Sequence, residues 1–149
     1  MGLSVHQTAA LTLQRPTEAA PLESASNGEE LNAAVDGVSF PYWEDRFGWR
    51  SVGERTDRVA GRTVTTVFYG DTGGRRIGYA IVSGANAPKA SGGTVSWRGG
   101  TPYRLLDENG VPTVVWMRDG HLCVLSGRAV DSATLLRLAS WTDHDSETY

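Results

Sequence analysis

The sequence predicts an α+β fold: an antiparallel β-meander of about six strands, a C-terminal helix packed on one face, and one or two short N-terminal helices. Two observations carry this prediction. From Trp49 to Ser126, apolar residues alternate as they do in strands, and turn pairs such as Gly99-Gly100 separate the runs. After Asp131 the spacing of the apolar residues becomes that of a helix.

Length and charge exclude several classes of protein. The chain has 149 residues, 40% of them apolar, which suits one domain that folds without a metal or a disulfide. Its net charge of −3, without a run of Lys or Arg, argues against nucleic acid as a partner. The apolar stretches fall well short of the ~20 residues that a membrane span requires, so we expect no membrane span.

Composition divides the chain into three parts. We expect a short helix and a linker over residues 1–28, the sheet-plus-helix domain over residues 29–141, and a flexible acidic tail over residues 142–149. The first helix is predicted over residues 4–14, because Ser4 and Gln7 have the spacing of a capping box. A second short helix is predicted over residues 29–35.

An aromatic segment precedes the strands. Five aromatic side chains lie within ten positions: Phe40, Tyr42, Trp43, Phe47 and Trp49. Pro41 prevents this segment from forming a regular inner strand. We predict that Phe40, Tyr42, Trp43 and Phe47 bind a ligand in the largest groove, so that Trp43→Ala weakens binding more than folding. Simple packing of the segment against the sheet is the alternative.

The strand pattern continues to the last helix. Strands are predicted over residues 49–59, 62–69, 76–82, 94–98, 102–107, 112–118 and 121–126. Most of their connections are too short for parallel crossovers, which makes the sheet antiparallel. Asp131 can cap a helix that runs to about residue 141 and carries Leu135 and Leu138 on its apolar stripe.

Residue types that catalyse reactions occur, but they do not form a recognisable set. His121 and Cys123 share a face of one predicted strand, although Cys123 sits among apolar neighbours like a core residue. Glu44, Asp45 and Asp57 are candidate acid/base carboxylates, although Glu44 and Asp45 fit a solvated turn between aromatic residues better. With a single cysteine and three dispersed histidines, we predict no catalytic residue, no metal site and no cofactor.

Several short runs resemble a known family. Residues 40–43 (Phe-Pro-Tyr-Trp), 48–50, 61–64, 77–79 and 121–127, which end in Cys-Val-Leu-Ser-Gly, resemble the extracytoplasmic portion of actinobacterial membrane-anchored anti-sigma factors and related uncharacterised proteins. The resemblance implies a sensor domain coupled to a cytoplasmic helical domain that holds a sigma factor. The chain has no His-x-x-x-Cys-x-x-Cys zinc motif and no transmembrane helix, so only the sensor half is expected.

These observations favour a non-enzymatic sensing or protein-interaction domain. Its partner is a small apolar ligand, a peptide or a protein, and its compartment is extracytoplasmic if the resemblance holds and cytoplasmic otherwise. One alternative is a small hydrolase or isomerase, which brings together at least two of Glu44, Asp57, Tyr69, Tyr79 and His121 in one pocket. Another is an assembly protein that pairs through a strand edge.

Overall fold

A computed structural model describes residues 5–22, 30–36, 38–84, 92–108 and 110–144. Its elements are α1 (Val5–Leu11), β1 (Glu30–Val35), β2 (Val38–Pro41), α2 (Glu44–Phe47), β3 (Arg50–Val59), β4 (Arg62–Gly70), β5 (Arg76–Val82), β6 (Thr94–Arg98), β7 (Thr101–Glu108), β8 (Val111–Arg118), β9 (His121–Ser126) and α3 (Ser132–His144). Parts of the predicted linker (23–28), of the loop after β5 (85–91) and of the tail (145–149) lie outside the described residues.

The strands confirm the predicted α+β class. Seven of them form one antiparallel sheet in the order β3-β4-β5-β9-β8-β7-β6, and β1 pairs with β2 in a separate hairpin. The large sheet contains two meanders, β3 to β5 and β6 to β9, which join where β5 pairs with β9. This junction is the long-range pairing that makes the two meanders one sheet.

Tight turns form where the turn pairs predicted them. Three hairpins have positive φ at both central residues, as type I′ turns require: Ala60-Gly61, Gly99-Gly100 and Asp119-Gly120. The backbone twist of this turn type matches that of the flanking strands. Each turn therefore fixes the register of the strands that it joins.

The helix predicted over residues 29–35 is wrong, because this stretch forms strand β1. Leu31 and Val35 are buried and Ala33 is partly buried, an alternation with the period of a strand. Glu, Leu and Ala favour helices in isolation, but packing of this apolar face against the sheet overrides that preference. Pro41 is the last residue of β2, outside the large sheet, where proline is tolerated.

The sheet is covered on both sides. We call the side that carries Tyr69, Tyr79, Tyr103 and Trp116 the aromatic face; the β1–β2 hairpin, the segment around α2 and helix α3 pack there. On the opposite side, the α1 face, helix α1 contacts β5 and β9. The core of the α1 face consists of Ala9, Val64, Ala80, Val82, Val115, Leu122 and Val124.

The N-terminal segment crosses the α1 face and reaches the edge of the sheet. Gly78 permits this close approach, because a Cβ atom there would collide with the Thr12 backbone. Further along, the Glu54 N–H donates to the Glu18 carbonyl at 3.1 Å, and the Glu18 N–H donates to the Glu54 carbonyl at 2.8 Å. The outer edge of β3 is therefore partly paired by residues that precede the sheet in sequence.

Helix α3 begins at the predicted cap. The Thr134 N–H donates to Asp131 Oδ1 at 2.9 Å, and this hydrogen bonding lowers the pKa of Asp131 below its usual value. Leu135 and Leu138 are fully buried against the aromatic face, while Arg137 points to solvent. No helix in the described ranges is long and apolar enough to cross a membrane.

Leu135→Ala or Leu138→Ala should each lower the free energy of unfolding by about 2–5 kcal/mol, because each leaves a cavity under α3. Leu22→Ala is the matched control, since Leu22 is 78% exposed and its loss should change stability by less than about 0.5 kcal/mol. Chemical denaturation of the three variants measures these differences. Equal, small effects at all three positions would show that α3 is peripheral.

Candidate binding surfaces

Of the four aromatic residues predicted to bind a ligand, two lie in the interior and two lie at the surface. Phe40 and Trp43 are fully buried, whereas Tyr42 and Phe47 are half-buried. The chain buries the first pair because β2 and the turn into α2 lie directly on the aromatic face. Of the four predicted ligand-binding residues, only Tyr42 and Phe47 are partly open to solvent.

Aromatic contacts join this segment to the sheet. The Trp43 ring lies 4.6 Å from that of Tyr69 and 5.8 Å from that of Tyr79, between ring centroids. Phe40 meets Tyr79 edge-on at 5.3 Å, and Tyr79 meets Trp116 at 5.3 Å. Such pairs add about 0.5–1.5 kcal/mol each beyond the burial of their area. Tyr79 is therefore the centre of a continuous aromatic core.

Polar groups fasten the β1–β2 hairpin to the same place. The Tyr69 hydroxyl donates to the Pro41 carbonyl at 2.7 Å, and burial raises the pKa of Tyr69 well above its usual value, so the donor proton is retained. Arg118 Nη1 donates to the Ser39 carbonyl at 3.0 Å and to the Tyr79 hydroxyl at 2.6 Å. These hydrogen bonds satisfy buried polar groups and fix the position of the hairpin on the sheet.

A groove lies beside Tyr42. It has a volume of about 480 Å³, and its lining combines apolar and charged side chains: Ala20, Pro21, Leu22, Leu31, Tyr42, Glu44, Arg50 and Ser51. Tyr42 is the one member of the predicted ligand-binding set in this lining. The assignment of Phe40, Trp43 and Phe47 to a binding site stays a prediction.

The five residues on which an enzyme was expected to rely make separate contacts. Asp57 pairs with Arg55 at 2.8 Å, and Glu44 lies at the Tyr42 groove. His121 Nδ1 lies 3.1 Å from the Val82 carbonyl, a hydrogen bond in the tautomer that has its proton on Nδ1. Tyr69 and Tyr79 make the hydrogen bonds to Pro41 and Arg118 described above, so four of the five residues have partners within the fold and Glu44 lies at a groove.

The largest exposed aromatic side chain described lies elsewhere, on β6. Trp97 is 66% exposed and Val95 is 39% exposed, and they stand two residues apart on one strand. Their cross-strand partners are Pro102 and Arg104 on β7, and Arg104 is in turn opposite Val115 on β8. Because directly opposed residues share a face, Val95 and Trp97 extend the α1 face to the end of the sheet.

Strand β6 also ends the sheet. Within the described part of the chain no strand pairs with its outer edge. In the order of the sheet, β6 lies at one end and β3 at the other. The Arg98–Thr101 pair closes the two-residue turn at Gly99-Gly100, which makes it a hydrogen-bonded pair. Hydrogen-bonded and non-hydrogen-bonded pairs alternate along a strand, so Val95 and Trp97 form no backbone hydrogen bonds with β7. Their N–H and C=O groups therefore point outward, away from β7.

An apolar groove continues from Trp97 across the α1 face. Its volume is about 310 Å³, and it is lined by Thr101, Pro102, Arg104, Val115, Trp116, Met117 and Leu122. Among the described residues of this lining, Arg104 is the charged one. A strand edge that no described residue pairs with, an exposed tryptophan and an apolar groove thus meet at one end of the sheet.

The sequence allows an assembly protein that pairs through a strand edge, but it does not identify β6 or Trp97 as that edge. The alternation Val95, Ser96, Trp97 beside a Gly-Gly turn predicts a strand, and it places both apolar residues on one side. It does not reveal which strand ends the sheet, because that depends on the pairing of β5 with β9. Trp97 therefore had the same pattern as a core residue.

The chain was compared with protein-family models, with curated proteins and with solved structures, and none of them matches it.

In contrast to the expectation from sequence, Trp43→Ala should destabilise the fold by about 3–5 kcal/mol, because Trp43 is fully buried and its ring joins Tyr69 to Tyr79. Trp43→Phe should cost less, since a ring remains and a buried indole N–H that has no partner among the described atoms is lost. Tyr42→Ala, at a half-buried neighbour, is the second control. Thermal melting of the three variants tests this order, and a stable Trp43→Ala protein would contradict it.

Cys123 should react with a thiol reagent only when the protein unfolds, because its side chain is fully buried within β9. We expect the labelling rate of the native protein to rise in parallel with denaturant-induced opening. Labelling that is complete within seconds in native buffer would show an accessible thiolate instead.

Proposed function

We propose that the chain is a protein-interaction domain that binds an extended segment of a partner chain along β6. The observation that carries this proposal is Trp97, which is 66% exposed on a strand whose outer edge is unpaired within the described residues. A bare edge of this kind is a template for an added strand.

The geometry determines which features the partner needs. Main-chain hydrogen bonds to Val95 and Trp97 provide affinity without regard to sequence, and alternate side chains of the added strand pack beside these two residues. The partner therefore needs apolar residues at alternate positions. Because the apolar surface continues over Pro102 into the groove, a large side chain next to Trp97 would be favoured.

The outer edge of β3, at the other end of the sheet, supports this assignment because it is less open to an added strand. Residues 17–18 pair with Glu54 there, and Arg55 Nη1 donates to the Arg15 carbonyl at 2.8 Å. Strand β3 is also rich in charged residues, which discourage strand addition, whereas Arg98 is the one charged residue of β6. The two ends of the sheet therefore differ in their readiness to take another strand.

The assignment of the chain to the sensor domains of anti-sigma factors is a narrower proposal. A sensor domain of an anti-sigma factor would be an interaction domain of this general kind, and the resemblance of residues 121–127 to such proteins is what supports it. A small-ligand function at Tyr42 is a second candidate, favoured by the groove of about 480 Å³ beside that residue. The hydrolase or isomerase alternative gains no support from the contacts of its five candidate residues.

A library of random displayed peptides, selected on the full chain, tests the β6 proposal. We expect enriched peptides to carry apolar residues at alternate positions and to lose about tenfold or more in affinity on Trp97→Ser. Val95→Pro should have a similar effect, because it removes an outward N–H without touching a bond to β7.

Val52→Ser is the matched control for this selection, since Val52 is 40% exposed on β3 at the other end of the sheet. It should leave peptide affinity unchanged, and all three variants should keep the melting temperature of the parent within a few degrees. Peptides that bind Trp97→Ser and Val95→Pro as well as they bind the parent would refute the proposal.

A further inference from the structure

Strand β6 is complementary to itself, and we infer that the partner it takes is a second copy of this chain, paired antiparallel about a twofold axis at Ser96. This inference rests on the proposed function, because it names the occupant of the same edge. It is argued from the outward backbone groups, from the side chains of the five-residue strand and from its charge.

The outward groups select one register. Two antiparallel copies of β6 form hydrogen bonds only where outward-pointing residues face each other, which are Val95 and Trp97 in each copy. Placing Val95 opposite the partner's Trp97 uses every outward N–H and C=O group of both strands. Ser96 then faces its own counterpart in a pair without hydrogen bonds.

The two neighbouring registers are poorer. Pairing Val95 with its own counterpart places Trp97 opposite Gly93, and pairing Trp97 with its own counterpart places Val95 opposite Gly99. Both glycines have positive φ and lie outside β6, so neither continues an extended strand. Each of these registers therefore forms one hydrogen-bonded residue pair within β6, whereas the register centred on Ser96 forms two.

Side chains agree with the register centred on Ser96. On the α1 face, each Val95 packs against the partner's Trp97, a β-branched and aromatic pair of the type that stabilises antiparallel strands. Arg98, the one charged residue of β6, faces the partner's Thr94, so no like charges meet. The exposed apolar area of each copy covers that of the other.

The size of the contact predicts its strength. Five residues from each copy form less than a standard interface, so the dimer should be weak and dependent on concentration. It should also be open to competition by other extended segments. Pairing would join two seven-stranded sheets into one continuous sheet with the two Trp97 rings on the same face.

Cross-linking through Ser96→Cys tests both the dimer and its register. A pair without hydrogen bonds has Cα atoms about 4.5 Å apart, which a disulfide can bridge. Under mild oxidation we expect a disulfide-linked dimer of Ser96→Cys that forms at least about tenfold faster than that of Val52→Cys, its control at the far edge. Native Cys123 does not interfere, because it is fully buried.

Sedimentation of the full chain over a concentration series provides the second measurement. The parent, with a monomer mass of 16.0 kDa, should approach twice that mass at high concentration, and Trp97→Ser and Val95→Pro should raise the dissociation constant about tenfold or more. Val52→Ser should dimerise like the parent.

Three results would overturn the inference. They are a parent that stays monomeric throughout, a dimer that Val95→Pro leaves intact, and cross-linking of Ser96→Cys no faster than that of Val52→Cys. If selected peptides still bind β6 while the parent stays monomeric, the second-copy inference fails and the proposed function stands. If peptide binding and dimerisation are both insensitive to Trp97 and Val95, both fail.

Discussion

The attachment of the β1–β2 hairpin to the sheet through Tyr79 is the contact on which the aromatic face depends. The rings of Phe40, Trp43 and Trp116 meet Tyr79, and its hydroxyl accepts a hydrogen bond from Arg118. Because Arg118 also binds the Ser39 carbonyl, one guanidinium links the hairpin, β5 and β8. Without the hairpin, the rings that it covers, Tyr69 and Tyr79, would be exposed to water.

This arrangement explains why the aromatic segment offers so little open surface. The side chains that make Phe40 and Trp43 suitable for ligand recognition, large and flat with strong dispersion contacts, are also those that best cover a sheet. The fold uses them for the second purpose, and α3 covers the neighbouring strands. Apart from the groove beside Tyr42, exposed apolar surface lies at the β6 end of the sheet, where Val95 and Trp97 are open to solvent.

Local patterns in the sequence predicted much of the fold and little of the site. The seven strands of the sheet and the cap at Asp131 follow from alternation, turn pairs and capping, which are properties of neighbouring residues. Strand β1 was mistaken for a helix because Leu31 and Val35 fit both periods, and only the packing of the hairpin on Tyr79 decides between them. Trp97 and Trp116 each lie in a predicted strand with a valine two positions earlier, Val95 and Val114, so the two-residue period does not distinguish them. Their opposite burial depends on the position of each strand in the sheet, which long-range pairing determines.

The exposed tryptophan and the unpaired edge have one physical explanation if they are considered together. Burying a side chain of this size is worth about 1.5–3 kcal/mol, and Trp97 leaves most of that unrealised within the monomer. The N–H and C=O groups of the same residue are directed away from β7 and are likewise unpaired within the described part of the fold. Both forms of stabilisation become available through a single event, the addition of a strand to β6. Covering Trp97 with a helix would bury the ring and still leave the edge without hydrogen bonds, so an added strand is the partner that satisfies both.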